Sequence, residues 1–248
     1  MINKLGVNIL AGGHYDEPRL IAFLDRLQPK ALVIMDNPYF AMRLQARYPL
    51  CLVIYRSWPD DNISERIEPR QWVEQMLIET AGTNLVLYAG NEPGYAVRQA
   101  THVPWMLEAM EYASSVGRKL VVGNYSVGTP EKEEWRGVLK PLLEKVCHSE
   151  HYLGVHEYFD YHNWRYPGYD PLSGQPYLIG RYTYPTEVAE LEGWPTPKVV
   201  VTELGADVAE SQNPAYRGWK AGNGLSEEAY ANQLMLINGF VYQHPAIV

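Results

Sequence analysis

Several kinds of residue whose abundance would place a protein in a particular class are scarce among these 248 residues. The only two cysteines, Cys51 and Cys147, stand far apart in apolar surroundings, which favours free thiols over a disulfide and leaves the cellular compartment open. Lysine and arginine total 21 against 29 aspartates and glutamates. The resulting charge of −8 lacks the basic surface typical of proteins that bind phosphate backbones, so we expect no nucleic-acid partner.

Long apolar runs are also missing. No stretch approaches the roughly 20 apolar residues that cross a bilayer. The opening residues MINKLGVNIL lack the successive charged, apolar and cleavage regions of a signal peptide. We therefore expect a soluble chain without a membrane partner, either cytoplasmic or part of a secreted or phage-borne protein.

Phenylalanine is rare, with 4 residues, whereas the chain has 19 tyrosines and 7 tryptophans. Tyrosine and tryptophan combine a flat apolar face with a polar group, a combination that suits surfaces which stack on sugar rings. Ordinary packing in the core and at the surface explains the same composition equally well, so composition alone does not decide between the two.

What the chain has in abundance is an alternation of short β-rich runs and amphipathic segments. Seven strands are predicted, at residues 5 to 10, 31 to 36, 51 to 58, 84 to 92, 119 to 126, 152 to 158 and 198 to 205. Helices are predicted at 17 to 27, 68 to 81, 103 to 117, 133 to 146 and 226 to 244. The strands are almost continuously apolar, as in a parallel sheet that is covered on both faces.

This pattern predicts an α/β fold, a (β/α)8 TIM barrel, in a single catalytic domain that spans residues 1 to 248. A doubly wound sheet is the competing fold, but AGGHYDEP after the first strand lacks the glycine spacing of a dinucleotide site. The last four residues, PAIV, suffice only to start a strand. We therefore expect the eighth strand to be missing or only begun, which leaves edges on strands one and seven.

Two glutamates stand at the ends of predicted strands. GNEPG ends the fourth strand with Glu92, and TELG ends the seventh with Glu203. Alternation along the seventh strand places Glu203 on the same face as Val199 and Val201. Because the carboxyl ends of barrel strands meet at one mouth, both carboxylates are expected to face each other there.

The combination of Asn-Glu on the fourth strand with Glu on the seventh resembles the motifs of clan A glycoside hydrolases. These are retaining β-glycosidases on (β/α)8 barrels, and the resemblance extends over strands one to seven. It implies double displacement, with Glu92 as acid/base and Glu203 as nucleophile, acting on an oligosaccharide or polysaccharide without metal or organic cofactor. Such a reaction requires one protonated and one ionised carboxyl about 5 to 5.5 Å apart.

Further substrate-binding residues follow from the same resemblance. Asn91 offers an amide to the hydroxyl beside the reacting carbon. His156 and Tyr158, on one face of the sixth strand, resemble the family's His and Tyr, of which the tyrosine donates to the nucleophile. Arg56 on the third strand is the predicted cationic neighbour of Glu203, although many members take this arginine from the second strand.

Tryptophans near the mouth are candidates for sugar stacking. Trp164 lies in a long aromatic loop, residues 159 to 185, and Trp58 follows the third strand. Packing within the loops explains either residue equally well. The family also places a tryptophan at the tip of its eighth strand, a position beyond the last residue of this sequence.

Two other functions fit the same residues. A barrel without its last strand could bind glycans and leave them uncleaved. A metal-dependent hydrolase is suggested by His156 beside Glu157, but adjacent strand residues point to opposite faces and no third ligand has suitable spacing. No metal site is predicted.

Overall fold

The computed structural model describes residues 6–9, 16–57, 63–93, 96–126, 128–160, 179–207, 226–242 and 244–248. Seven parallel strands form one sheet, in which each strand pairs with the strand that precedes it in the sequence. The strands are β1 Val7–Ile9, β2 Ala31–Met35, β3 Leu52–Arg56, β4 Val86–Ala89, β5 Leu120–Tyr125, β6 Tyr152–Asp160 and β7 Val199–Asp207. They form a nearly closed barrel, so the predicted TIM-barrel fold is confirmed.

Helices connect the strands. They are α1 Glu17–Leu27, α2 Pro38–Arg47, α3 Pro69–Glu79, α4 Ala96–Ser115, α5 Lys132–Arg136, α6 Lys140–Cys147, α7 Thr183–Leu191 and α8 Glu227–Tyr242, with a 3-10 turn at Ile63–Glu65. No helix within the described ranges is long and apolar enough to cross a membrane.

Local sequence explains where several helices begin. The Asp16 side chain accepts a hydrogen bond from the backbone of Arg19, and a proline follows in the first turn of α1. Glu131 caps α5 in a capping box with Glu134. The hydroxyl of Ser226 accepts from the backbone of Ala229 and caps α8.

The apolar core has two layers, one on each face of the sheet. Side chains inside the barrel form a small cluster of Val33, Ile54, Val86, Tyr88, Val121 and Val200. Alternate strand residues, such as Leu32, Ile34 and Leu87, belong to a larger cluster that includes helix residues. Helices cover the outer face of the sheet and side chains fill the inside of the barrel, which explains why the strands are almost continuously apolar.

Two predicted helices differ from those observed. Helix α4 begins at Ala96, well before residue 103, and continues through Pro104. Pro104 is exposed whereas its neighbours Val103 and Trp105 are buried, so packing outweighs the lost backbone hydrogen bond. The segment from 133 to 146 forms two helices, α5 and α6, separated at Gly137.

The eighth strand is only begun, as predicted. Ile247 forms a parallel bridge with Val199 at the start of β7. The backbone N–H of Val199 donates to Ala246 at 2.7 Å, and that of Val248 donates to Val199 at 3.1 Å. A cavity of about 390 Å³ adjoins this pairing, and residues of β1 and β7, including Val7, contribute to its lining.

Both cysteines are free thiols, in agreement with the prediction. Burial raises the pKa of Cys51 to about 11 and that of Cys147 to about 12. Both thiols therefore stay protonated and poorly nucleophilic at neutral pH.

Candidate active site at the carboxyl ends of the strands

Charged side chains from four strands meet at one mouth of the barrel. Arg56 is the last residue of β3, Glu92 lies just past the end of β4, and His156 and Glu203 lie within β6 and β7. Hydrogen bonds link Arg56 to Glu203 and His156 to Glu92. The barrel thus brings together residues that are up to 147 positions apart in the sequence.

Glu203 is held by two donors. Arg56 Nη1 lies 2.7 Å from Oε1, and the Tyr158 hydroxyl donates to Oε2 at 2.5 Å. The Arg56 side chain is 4% exposed and that of Glu203 is 19% exposed, so this ion pair is largely shielded from water. Each carboxylate oxygen has its own donor, which fixes the orientation of the group.

Glu92 has a different environment. Its side chain is 43% exposed, and His156 Nδ1 lies 3.0 Å from Oε1. This hydrogen bond holds the pKa of Glu92 below its ordinary value, with smaller contributions in the same direction from the Ser126 side chain and the charge of Arg56. Burial acts in the opposite direction. In the site as it stands, Glu92 is therefore the ionised partner of His156.

His156 lies between the two carboxylates. Its Nδ1 is 3.0 Å from Glu92 Oε1 and 3.8 Å from Glu203 Oε2. Two points at these distances from a common atom can be no more than their sum apart, which is 6.8 Å. The carboxylates therefore face one common space.

Asn91 and Tyr88 complete the wall at β4. The Tyr88 hydroxyl donates to Asn91 Oδ1 at 2.9 Å and lies 2.9 Å from Nε2 of His156. The sequence predicted Asn91 at the mouth but gave no role to Tyr88. Its position on the same strand face as Glu92, together with a hydroxyl on an otherwise apolar strand, was the available signal.

A bulge in β7 turns Glu203 into the barrel. Val155 pairs with Val201, but the next residue, His156, pairs with Glu203, so Thr202 is an extra residue in β7. The prediction that Glu203 shares a face with Val201 is therefore wrong. Strict alternation fails here because the extra residue changes the direction of every side chain that follows.

Asn124 braces the base of the mouth from β5. Its side-chain amide donates to the backbone of Gly90 at 2.9 Å, and Thr202 donates to its Oδ1 at 3.3 Å. The backbone oxygen of Asn124 accepts from the N–H of Glu92 at 3.1 Å. These bonds tie β5 to the segment that carries Glu92 and to the bulge in β7. The sequence analysis did not identify Asn124, because a single asparagine on an apolar strand belongs to no recognisable motif.

Backbone conformations at this mouth are unusual. Asp36 and Glu92 follow β2 and β4, Asn124 is the last residue but one of β5, and all three have positive φ, at 55°, 42° and 44°. This left-handed region is uncommon for residues other than glycine. Such strain persists only where the surrounding structure enforces it, and it is concentrated at functional sites.

Glu157 points away from the mouth, as its position next to His156 requires. It accepts hydrogen bonds at 3.0 Å from the backbone N–H groups of Gly180 and Tyr182, which precede α7. Burial raises the pKa of Glu157 to about 7, although these two hydrogen bonds and Arg181 act to lower it. Glu157 is therefore a structural anchor on the far face of β6.

The predicted site residues thus divide into two groups. Six of them lie together at the mouth, namely Glu92, Glu203, Asn91, Arg56, His156 and Tyr158. Trp58 and Trp164 lie outside the described residues. Within the described part of the chain, no three His, Cys, Asp or Glu side chains are arranged to hold a metal ion.

Comparisons with known proteins add little about chemistry. No family model and no curated protein matches the chain. The chain is similar to a solved structure described as "Crystal structure of D-tagatose 3-epimerase-like protein", with a TM-score of 0.43 and 14% identity over 98% of this chain and 89% of that one. None of these comparisons connects the chain with clan A glycoside hydrolases, so that resemblance stays a prediction.

Proposed function

We propose that the protein is a retaining β-glycosidase that acts on oligosaccharides or polysaccharides. The observation that carries this proposal is the approach of Glu92 and Glu203 to one imidazole nitrogen, which limits their nearer oxygens to 6.8 Å. Retaining enzymes require carboxyl groups about 5 to 5.5 Å apart, and inverting enzymes require roughly 6.5 to 9.5 Å. The bound of 6.8 Å between one oxygen of each carboxylate is compatible with the retaining separation.

The two environments suit two roles. Glu203, oriented by Arg56 and Tyr158, is the nucleophile: its oxygen forms a bond to the anomeric carbon as the bond to the leaving oxygen breaks. Glu92 is the more exposed carboxyl and gives the leaving oxygen its proton. In the second half of the reaction Glu92 takes a proton from water, which attacks the anomeric carbon and releases Glu203.

The pKa of Glu92 is low in the free site, and substrate binding is expected to raise it. Burial already acts to raise this pKa. A sugar seated on the exposed side of Glu92 removes further water and strengthens that contribution, so that the carboxyl takes up a proton more readily when the leaving group is in place.

Replacement of each glutamate tests the proposal. We expect Glu203→Ala to abolish hydrolysis, and azide to restore turnover of activated aryl glycosides with an inverted glycosyl azide as product. We expect Glu92→Ala to lower kcat by about 10² to 10⁴ on unactivated glycosides, because general acid catalysis is lost, and azide then to give a retained product. Chromogenic glycosides and product NMR provide the measurements.

The control is Glu190→Ala, at an exposed position of α7 that takes no part in the contacts described at the mouth, and this variant is expected to hydrolyse glycosides at the unchanged rate. Full hydrolysis by both single variants at the mouth would show that the carboxylates are not the catalytic pair.

Glycan binding without hydrolysis is the second candidate, and the gap between β1 and β7 in the described part of the barrel favours it. A barrel that is not closed holds its mouth residues less firmly than a complete ring. Glycan-array binding together with no turnover of any glycoside supports this candidate, whereas turnover that depends on Glu203 excludes it.

A further inference from the structure

Tyr88 on β4 contacts the partners of both carboxylates, and the catalytic scheme gives it no role. Its side chain is 1% exposed. The hydroxyl contacts Asn91 and His156, each at 2.9 Å. The ring lies beside the guanidinium of Arg56, with 4.9 Å from Cζ to the ring centroid. One buried side chain thus touches the residue that binds Glu92 and the residue that binds Glu203.

The contacts of the Tyr88 hydroxyl determine where protons lie on His156. A tyrosine hydroxyl has one proton to donate, and Asn91 Oδ1 receives it. The contact with His156 is then a hydrogen bond only if Nε2 carries a proton and donates it to the tyrosine oxygen. Nδ1 faces Glu92 Oε1, which only accepts when ionised, so Nδ1 donates as well. A ring that donates through both nitrogens is an imidazolium.

We propose that Tyr88 is a positioning residue that holds His156 as an imidazolium directed at Glu92, and that this pair stores the proton given to the leaving group. The inference rests on the proposed glycosidase function. The proton moves from Nδ1 to the Glu92 carboxylate and on to the leaving oxygen, as that oxygen separates from the anomeric carbon and Glu203 bonds to it. When water later attacks, Glu92 takes a proton from it and His156 is recharged.

The surrounding charges favour this arrangement. Two carboxylates face His156, Glu92 from the end of β4 at 3.0 Å and Glu203 from β7 at 3.8 Å. Arg56 on β3 and Tyr158 on β6 are both hydrogen-bonded to Glu203. An imidazolium between two carboxylates is stabilised by both, and one arginine offsets only part of that attraction.

Tyr88→Phe is the direct test, because it keeps the ring beside Arg56 and removes only the hydroxyl. We expect kcat to fall roughly tenfold to a hundredfold, the effect of losing a hydrogen bond to a charged group, with KM changed little. We also expect the alkaline limb of the pH profile of kcat/KM to move to lower pH. The sign follows because loss of the acceptor at Nε2 weakens the imidazolium, so the pair releases its proton more readily.

The matched control is Tyr112→Phe on α4. It removes a hydroxyl that donates to Glu74 at 3.0 Å on the exposed surface, and it is expected to leave kcat and the pH profile unchanged. A Tyr88→Phe variant with wild-type kcat and an unmoved alkaline limb overturns the proposal.

A second readout does not depend on hydrolysis. In protein labelled with ¹⁵N-histidine, and with His156→Gln to assign the signal, we expect both ring nitrogens of His156 to be protonated at pH 7. We expect that state to be lost at lower pH in Tyr88→Phe than in the wild type. A wild-type His156 with one unprotonated nitrogen at pH 7 overturns the inference, even if Tyr88→Phe fails to fold.

The two proposals fail in different ways. Hydrolysis that survives Glu203→Gln contradicts the glycosidase, while the nitrogen signals still test the effect of Tyr88 on His156. Hydrolysis that requires Glu203, combined with a neutral His156, contradicts only the role of Tyr88.

Discussion

Glu157 shows how a single buried residue can give the whole protein a pH-dependent stability. The residue is 1% exposed, and its carboxyl accepts hydrogen bonds from two backbone N–H groups that precede α7. Burial raises its pKa from 4.5 to about 7. The folded chain therefore retains a proton between these two pH values that the unfolded chain has lost.

The contribution of Glu157 to the free energy of unfolding is thus expected to fall as pH rises from 4.5 to 7, because its carboxyl binds more protons in the native state over that window. The contribution of Glu157 is roughly 3 kcal/mol, at about 1.4 kcal/mol for each pKa unit. In Glu157→Gln we expect this loss between pH 4.5 and 7 to disappear. Urea unfolding at pH 5 and pH 8 measures it.

The matched control for this prediction is Glu190→Gln at an exposed position of α7, which should retain the wild-type difference between pH 5 and pH 8. Equal pH slopes in Glu157→Gln and the wild type would contradict the role given to burial.

The charged residues of the site could be predicted from the sequence, whereas the residues that support them could not. Glu92 and Glu203 stand out because a carboxylate at the end of an apolar strand is rarely explained by packing. Asn124 and Thr202 do not stand out, because their function depends on partners from other strands and on a shifted register. Only the three-dimensional structure shows these partners and this register.

At the scale of the strand, close packing around Gly154 on β6 is what leaves room for Asn124. A Cβ atom at Gly154 would lie 2.0 Å from Asn124 Oδ1 and 2.8 Å from Val121 Cγ1. We expect Gly154→Ala to lower the free energy of unfolding by about 1 to 3 kcal/mol. We also expect it to reduce hydrolysis, because Asn124 holds the backbone of Glu92.

The corresponding control is Gly239→Ala in α8, where nothing lies within 4 Å of the added methyl group. Higher helix propensity is expected to stabilise that variant by up to about 1 kcal/mol. Chemical denaturation and glycoside turnover check both variants, and a Gly154→Ala protein as stable as the wild type would contradict the packing argument.

Prediction of the elements succeeded where periodicity alone determines them. All seven strands and helix α1 lie where the apolar pattern placed them. Helix α7 was missed, since residues 183 to 185 were assigned to a long aromatic loop that began at residue 159. Its first turn includes Tyr184 and Pro185, both buried, and an aromatic turn next to a proline does not show helical periodicity.

For the whole molecule, the gap beside β7 depends on the last residues of the chain. Ile247 is 5% exposed, belongs to the main core and pairs with Val199. We expect Ile247→Ala to lower the free energy of unfolding by about 2 kcal/mol, near the small end of the range for such truncations because one side borders the cavity. Val248→Ala, at a side chain that is 38% exposed, should cost less than about 0.5 kcal/mol.

Urea denaturation distinguishes these two variants. Equal effects of Ile247→Ala and Val248→Ala would mean that the end of the chain does not contribute to the packing of the barrel.

The order of the strands also affects how the protein is made. In the described sheet, each strand pairs with the one translated just before it. Polypeptides emerge from the ribosome N-terminus first at about 5 to 20 residues per second, which is slow compared with docking of a local unit. Every new strand therefore emerges after the strand that it pairs with, so pairing within the sheet of β1 to β7 never waits for a later segment of the chain.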